Sequence, residues 1–288
     1  MTDSRPTHVP SVTFNDGTEM PQLGLGTYKL RGEECVRVVR EAIQLGYRHI
    51  DTATVYGNEE EVGHAIADAI AAGDVTREEL FITTKVWNDC HGAEKASASF
   101  QDSLRRLGLE YIDLFLVHWP CPQQNLYVET FEAIAKIQGL GSVQSIGVAN
   151  FYEEVLRELV EKTGITPVLN QVELHPGFTQ AALRQVHEEL GIITEAWSPL
   201  SRGIALQNPI IEGIAAELGA TPAQVTIKAL LQLGCSVIPK TANSDRLKEN
   251  LNALNFGLSQ EQLNSILSLD DQPGFGRIFK SPWEFPGA

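Results

Sequence analysis

The sequence predicts a (β/α)8 TIM barrel with an N-terminal β-hairpin and a short irregular C-terminal tail. Three observations predict it. Eight short β-prone runs alternate with segments of helical periodicity, the pattern of a parallel sheet covered by helices. Four polar residues at strand ends, Asp51, Lys85, His118 and Asn150, lie 34, 33 and 32 residues apart, about the length of one barrel unit. The chain of 288 residues also suits a barrel, which typically takes roughly 250.

In chain order, Val12-Thr13-Phe14 and Glu19-Met20-Pro21 flank Asn15-Asp16-Gly17-Thr18, a hairpin signal. Strands are expected at 22–27, 49–53, 81–86, 113–118, 145–150, 169–174, 193–198 and 236–240. Helices are expected at 33–45, 59–71, 93–107, 128–138, 152–163, 179–190, 210–218 with 223–231, and 244–254. No linker or low-complexity run divides the sequence, so one domain over 1–288 is expected. The tail from Asp270, with Pro273, Gly274, Gly276, Pro282 and Pro286, reads as irregular chain folded over one rim.

Composition narrows the function. The formal net charge of -15 argues against a nucleic-acid or anionic-membrane surface, leaving room for a local basic pocket. Cys35, Cys90, Cys121 and Cys235 form no C-x-x-C pair, which disfavours a zinc site and points to a reducing, cytoplasmic compartment. No metal is expected. The start, Met1 to Pro6, lacks the apolar run of a signal peptide, and no apolar run is long enough for a membrane span.

The chemistry is read from the stretch Gly46 to Glu59. Asp51 ends an apolar strand, where a carboxylate needs a cation. Lys85, at the end of the next strand, is the natural partner. Singly, these residues have bland readings: a structural ion pair, a rim tyrosine at Tyr56, a hydrogen-bonded structural histidine at His118. A shared rim changes that. A lysine beside Tyr56 would stabilise the phenolate and lower the phenol's pKa, Asp51 would hold the lysine charged, and His118 could hydrogen-bond a carbonyl oxygen. Such a site delivers a proton to an oxygen as charge builds there and takes its electrons from elsewhere, most simply a hydride cofactor. Tyr28, Val55, Trp87, Asn88 and Trp119 follow strand ends and are expected to wall an apolar substrate pocket, with Trp283 reaching in from the tail. Gly24-Leu25-Gly26 fails the Rossmann fingerprint.

Gly46-Tyr47-Arg48-His49-Ile50-Asp51-Thr52-Ala53, followed by Tyr56-Gly57-Asn58-Glu59, resembles the signature of the aldo-keto reductase superfamily. So do Asn170-Gln171-Val172-Glu173-Leu174-His175-Pro176 and Ile238-Pro239-Lys240-Thr241. The similarity runs from the hairpin to about Leu269 and is greatest to the bacterial 2,5-diketogluconate reductase and prostaglandin F synthase-like branch. It implies NADPH-dependent reduction of a small carbonyl substrate by a monomer. It makes Tyr56 the general acid, Lys85 its tuner, Asp51 the lysine's partner and His118 the substrate orienter. It sets the nicotinamide carboxamide against Asn150 and Gln171 and stacks the ring on Trp197, where relatives usually carry tyrosine. Ser198 and Leu200 fall in the loop expected to hold the phosphates, and Lys240, Thr241 and Arg246 go to the 2′-phosphate near a helix N-terminus. Glu249 and Asn250 go to the adenine. Ala149 replaces the usual serine, so one carboxamide hydrogen bond is expected to be missing. Two other readings fit the same rim: a nucleotide-binding barrel without catalysis, and a lyase or isomerase using Lys85 as a Schiff base. The complete tetrad weighs against the first, and a lysine kept protonated by Asp51 against the second.

Overall fold

A computed structural model of the chain describes residues 9–285. The N-terminal segment read for a signal peptide and Pro286 lie outside the described residues.

The chain begins with the expected hairpin, β1 (Ser11–Thr13) and β2 (Glu19–Pro21), paired antiparallel. The barrel follows as β3 (Gly24–Gly26), α1 (Gly32–Leu45), β4 (His49–Asp51), α2 (Glu59–Ala71), β5 (Phe81–Val86) and α3 (Ala93–Leu107). It continues through β6 (Ile112–Val117), α4 (Tyr127–Gly139), β7 (Val143–Ala149), α5 (Glu153–Thr163), β8 (Leu169–Glu173) and α6 (Ala181–Leu190). β9 (Ile193–Trp197), the pair α7 (Pro209–Leu218) and α8 (Pro222–Gln232), β10 (Ser236–Val237) and α9 (Ser244–Asn252) complete it. The eight strands from β3 to β10 are parallel and hydrogen-bonded in chain order.

The ring closes through one isolated bridge, Leu23 to Val237, with Val237 N donating to Gln22 O at 2.9 Å and Gly26 N to Pro239 O at 3.2 Å. A Cβ at Gly26 would stand 2.9 Å from Ile238 O, so only glycine lets the first and last strands meet this closely. β10 is shorter than the expected 236–240 because Pro239 has no N–H to donate to a ladder.

The helices cover the outside of the ring and pack one continuous apolar layer against it, including Val39 and Ile43 of α1 and Phe100 of α3 against Phe115 of β6. α1 stops at Gly46, whose φ of 107° turns its N–H back to the Ala42 and Ile43 carbonyls and aims the chain into β4. The hairpin plugs the other end: Phe14 meets Phe81 edge-on at 6.1 Å, and Met20 is buried with Leu114, Leu116 and Leu169. Among the described residues, the C-terminal rim is the end left open. A helix absent from the expected set, α10 (Gln260–Leu267), packs with α7 and α8 in a second apolar cluster. It starts with a reciprocal capping box between Ser259 and Gln262. Among the described residues, no helix is long and apolar enough to cross a membrane.

Candidate active site

The C-terminal rim brings the predicted tetrad together. Asp51 is the last residue of β4 and Lys85 the penultimate residue of β5; His118 and Asn150 directly follow β6 and β7. Lys85 is fully buried and commits all three of its donors: to Asp51 Oδ1 at 2.8 Å, Asp51 Oδ2 at 2.7 Å and the Thr52 carbonyl at 2.8 Å. Tyr56 sits on a single 3-10 turn, Thr54–Tyr56, tied to β5 by Thr54 Oγ1 donating to Lys85 O at 3.0 Å. Asn58, two residues after Tyr56, is fully buried. It accepts from Thr52 Oγ1 and donates to the Thr27 and Leu30 carbonyls, locking the Tyr56 turn to the loop after β3.

The Tyr56 ring lies 5.2 Å from Lys85 Nζ and 5.9 Å from the His118 ring. The expected lowering of the phenol by Lys85 does not occur in the protein alone. Burial, then the carboxylate of Asp51, hold Tyr56 well above the ordinary tyrosine value, and Asp51 offsets the ammonium's charge at short range. The phenol is therefore protonated at neutral pH, the form a proton donor requires. His118 is pushed well below the ordinary histidine value by burial and by the Lys85 charge, so its ring is neutral.

A second buried carboxylate, missed from the sequence, stands beside Asp51. Gln171 Nε2 donates to Asp51 Oδ2 at 2.8 Å and to Glu195 Oε1 at 2.7 Å; Ser236 Oγ donates to Glu195 Oε2 at 2.8 Å. Burial raises both carboxyls, and Lys85 opposes it. The signal was present: Glu195 is a carboxylate inside an apolar strand, the same anomaly that singled out Asp51.

A cavity of about 770 Å³ opens onto this rim. Tyr28, Val55, Trp87 and Trp119 line it as expected, along with Tyr56 and His118. Asn88 does not: its side chain is buried behind the wall, because the chain turns into the 3-10 segment Asn88–Cys90 directly after Trp87. Trp283 does not reach in either. It stacks on Tyr152 at 3.5 Å. The tail contributes Phe279 and Phe285 instead, with Phe285 stacked on Trp119 at 4.3 Å.

Asn150, Gln171, Trp197, Ser198, Leu200 and Lys240 line the cavity's other side. Asn150 has a left-handed φ of 62° and is pinned twice: its Nδ2 donates to His118 O, and its Oδ1 accepts from Trp197 Nε1, both at 2.9 Å. Lys29, Arg31 and Arg202 also line the cavity, and none has a carboxylate partner among the described residues. Thr241, Arg246, Glu249 and Asn250 lie outside it, on the adjoining loop and α9. Asn243 caps α9, its Oδ1 accepting from Asp245 N and Arg246 N, so an anion there would meet side chains more than helix N–H groups. Arg246 is exposed; Glu249 is engaged by Thr221 Oγ1 at 2.5 Å, and Asn250 is buried against Tyr47.

Chemistry gathered at the C-terminal end of a parallel barrel defines an α/β-barrel enzyme. The chain belongs to the Aldo/keto reductase family, which it matches over residues 22–271 and whose members are NADP(H)-dependent oxidoreductases. It is 49% identical over 261 residues to an aldo-keto reductase of Mycolicibacterium smegmatis, covering 91% of this chain and 94% of that one. It is 44% identical over 264 residues to 2,5-diketo-D-gluconic acid reductase B of a Corynebacterium species, covering 91% and 94%. Among solved structures, a mutant of Gox0644 in complex with NADPH superposes with a TM-score of 0.91 at 42% identity, covering 96% of this chain and 98% of that one.

Proposed function

We propose that the chain reduces aldehydes and ketones to alcohols with NADPH, Tyr56 acting as general acid. The carrying observation is that one cavity is faced by a protonated phenol with a neutral imidazole beside it, while a buried ammonium–carboxylate pair lies beneath the phenol. The residues present fit the dinucleotide. Gln171 spends both amide hydrogens on carboxylates and keeps Oε1 as an acceptor for a carboxamide, and Trp197 offers an aromatic face. Lys29, Arg31, Arg202 and Lys240 give an acidic protein a cationic seat for phosphates, with Ser198 and Leu200 in the loop beside it. Thr241 and Arg246 would hold the 2′-phosphate, and Glu249 and Asn250 would stand by the adenine.

NADPH supplies the hydride. His118 donates a hydrogen bond to the carbonyl oxygen and Tyr56 gives that oxygen its proton. The Lys85 ammonium then steadies the phenolate left behind, which is the state it favours. Asp51 holds the Lys85 ammonium in place through both carboxylate oxygens. Tyr28, Val55, Trp87 and Trp119 wall the carbonyl substrate. NADPH oxidation with glyoxal or a nitrobenzaldehyde tests the reading: Tyr56→Phe is expected to lower turnover by about 100-fold or more, the contribution of a positioned acid. Turnover retained in that variant would sink it.

The same reading makes the protein a cytoplasmic monomer. It is supported by four unpaired cysteines and by exposed apolar side chains scattered over separate elements, among them Ile70, Leu140 and Leu218. Light scattering checks the oligomeric state.

A further inference from the structure

Two side chains of α1 grip the turn that joins Lys240 and Thr241 to Arg246. Ala242, Asn243 and Ser244 form that turn, and Ser244 is the first residue of α9. Arg37 reaches it from 205 residues away: its Nη2 donates to the Ala242 carbonyl at 3.0 Å and its Nη1 to Ser244 Oγ at 3.3 Å. Glu41, one helical turn further along α1, accepts from Ser244 Oγ at 2.5 Å, and each of its oxygens accepts from Arg37 Nη1 at 3.0 Å. The Ser244 hydroxyl, more than Arg37, holds Glu41 below the ordinary carboxylate value, so the pair is ionised at neutral pH. Within the turn, Asn243 N donates to Thr241 Oγ1 at 3.1 Å and Asn243 Oδ1 caps α9. Those bonds set its internal shape. Among the described residues, the hydrogen bonds that tie it to the helices outside α9 come from Arg37 and Glu41.

The pair does little for α1 itself. The two side chains are 45% and 31% exposed, and an exposed ion pair contributes little to stability. Arginine ahead of glutamate is also the weaker order on a helix. Neither residue lines the cavity. We propose that Arg37 and Glu41 position the 2′-phosphate seat: they hold the Ala242–Ser244 turn so that Lys240 and Thr241 on one side and Arg246 on the other converge on one phosphate. The inference rests on the proposed assignment of those three residues to the 2′-phosphate. A seat on a loose turn has to be ordered as the anion arrives, which weakens binding; a turn already braced avoids that loss. NADH has a hydroxyl where NADPH has this phosphate, so the brace bears on one dinucleotide alone.

The brace is distinguishable from a plain charge effect by sign. If Arg37 and Glu41 acted through their field, losing the cation would weaken the anion and losing the carboxylate would tighten it. Positioning predicts the same direction for both. Dissociation constants for NADPH and NADH, read by tryptophan fluorescence, are compared among wild type, Arg37→Ala, Glu41→Ala and Arg246→Ala. Arg37→Ala and Glu41→Ala are each expected to bind NADPH roughly five- to tenfold more weakly, the effect of about one hydrogen bond, with NADH unchanged. Tighter or unchanged NADPH binding in Glu41→Ala, or equal weakening towards both dinucleotides, would overturn the proposal. A wild-type preference for NADPH that is lost in Arg246→Ala but kept in both α1 variants would refute the brace and leave the 2′-phosphate assignment standing. Equal wild-type affinities would refute both.

Discussion

At the scale of single residues, the site depends on how few donors remain uncommitted. Lys85 has none to spare, Gln171 has spent both amide hydrogens, and Asn150 is held at both ends of its amide. The Asn150 clamp is specific to Trp197, whose indole N–H is a donor only and so fixes Oδ1 as the end it grips. Position 149 is fully buried beside Asn150 and carries no hydroxyl. Ala149→Ser is therefore expected to tighten NADPH binding about fivefold, worth about 1 kcal/mol. Quenching of tryptophan fluorescence gives the dissociation constant, and an unchanged value would mean that the serine finds no partner. Asp51 and Lys85 were legible in the sequence because a charge at the end of an apolar strand needs an opposite charge on a neighbouring strand. Asn88 was misread because position along a chain does not state which way a side chain points. Trp87 faces the cavity, and the turn that follows carries Asn88 behind it.

Elements bring in what no single residue announces. The tail is held by Glu173 at the end of β8, a buried carboxylate accepting from Ile278 N at 2.5 Å and from Phe279 N at 3.1 Å, with His175 Nε2 3.2 Å away. The sequence predicts a tail folded over one rim, but backbone amides carry no residue identity, so neither the anchor at Glu173 nor the arrival of Phe279 and Phe285 in the cavity left a trace there. Hydrogen bonds to a charged acceptor are worth about 1.5–3 kcal/mol each. Glu173→Ala should free the tail, raise KM for aldehydes and expose the residues after Asp270 to limited proteolysis. An intact tail with unaltered KM would contradict this. By contrast, α10 had a legible signal in Ser259 and Gln262, a capping box ahead of an apolar run.

α6 and β8 share another buried contact. His187 bonds Asn170 Nδ2 at 2.9 Å and Thr194 Oγ1 at 2.7 Å, and burial lowers it from 6.5 to about 4. The unfolded chain binds a proton at higher pH than the fold does. Stability therefore falls as pH drops from 6.5 towards about 4 and levels off below. The full contribution is about 3 kcal/mol. Urea midpoints across that window should decline more steeply for wild type than for His187→Gln; parallel slopes would show that the histidine does not carry this dependence.

Over the whole molecule, the sign of charge changes between surface and site. The chain carries a net -15, yet its cavity gathers Lys29, Arg31, Arg202 and Lys240, with Arg246 exposed on nearby α9. Composition alone excluded polyanion surfaces and left this local reversal open. Its placement became legible only through the barrel, which brings loops more than 150 residues apart to one rim. Arg246→Ala is expected to weaken NADPH binding about tenfold or more, as loss of a charge-assisted contact does, while leaving NADH binding unchanged. Titration with both dinucleotides measures the difference, and equal wild-type affinities would refute the 2′-phosphate assignment.

The lone bridge between Leu23 and Val237 also sets an order of assembly. The ring joins the first and last barrel strands, so it cannot shut on a nascent chain until residue 237 has emerged. Until then the growing sheet has two open edges, the condition under which strands pair with the wrong partner. The same closing step draws Lys240 against Gly26, where a Cβ would stand 3.7 Å from the lysine's own. Ring closure and completion of the anion seat are thus one event, late in synthesis, and a chain truncated before β10 has neither.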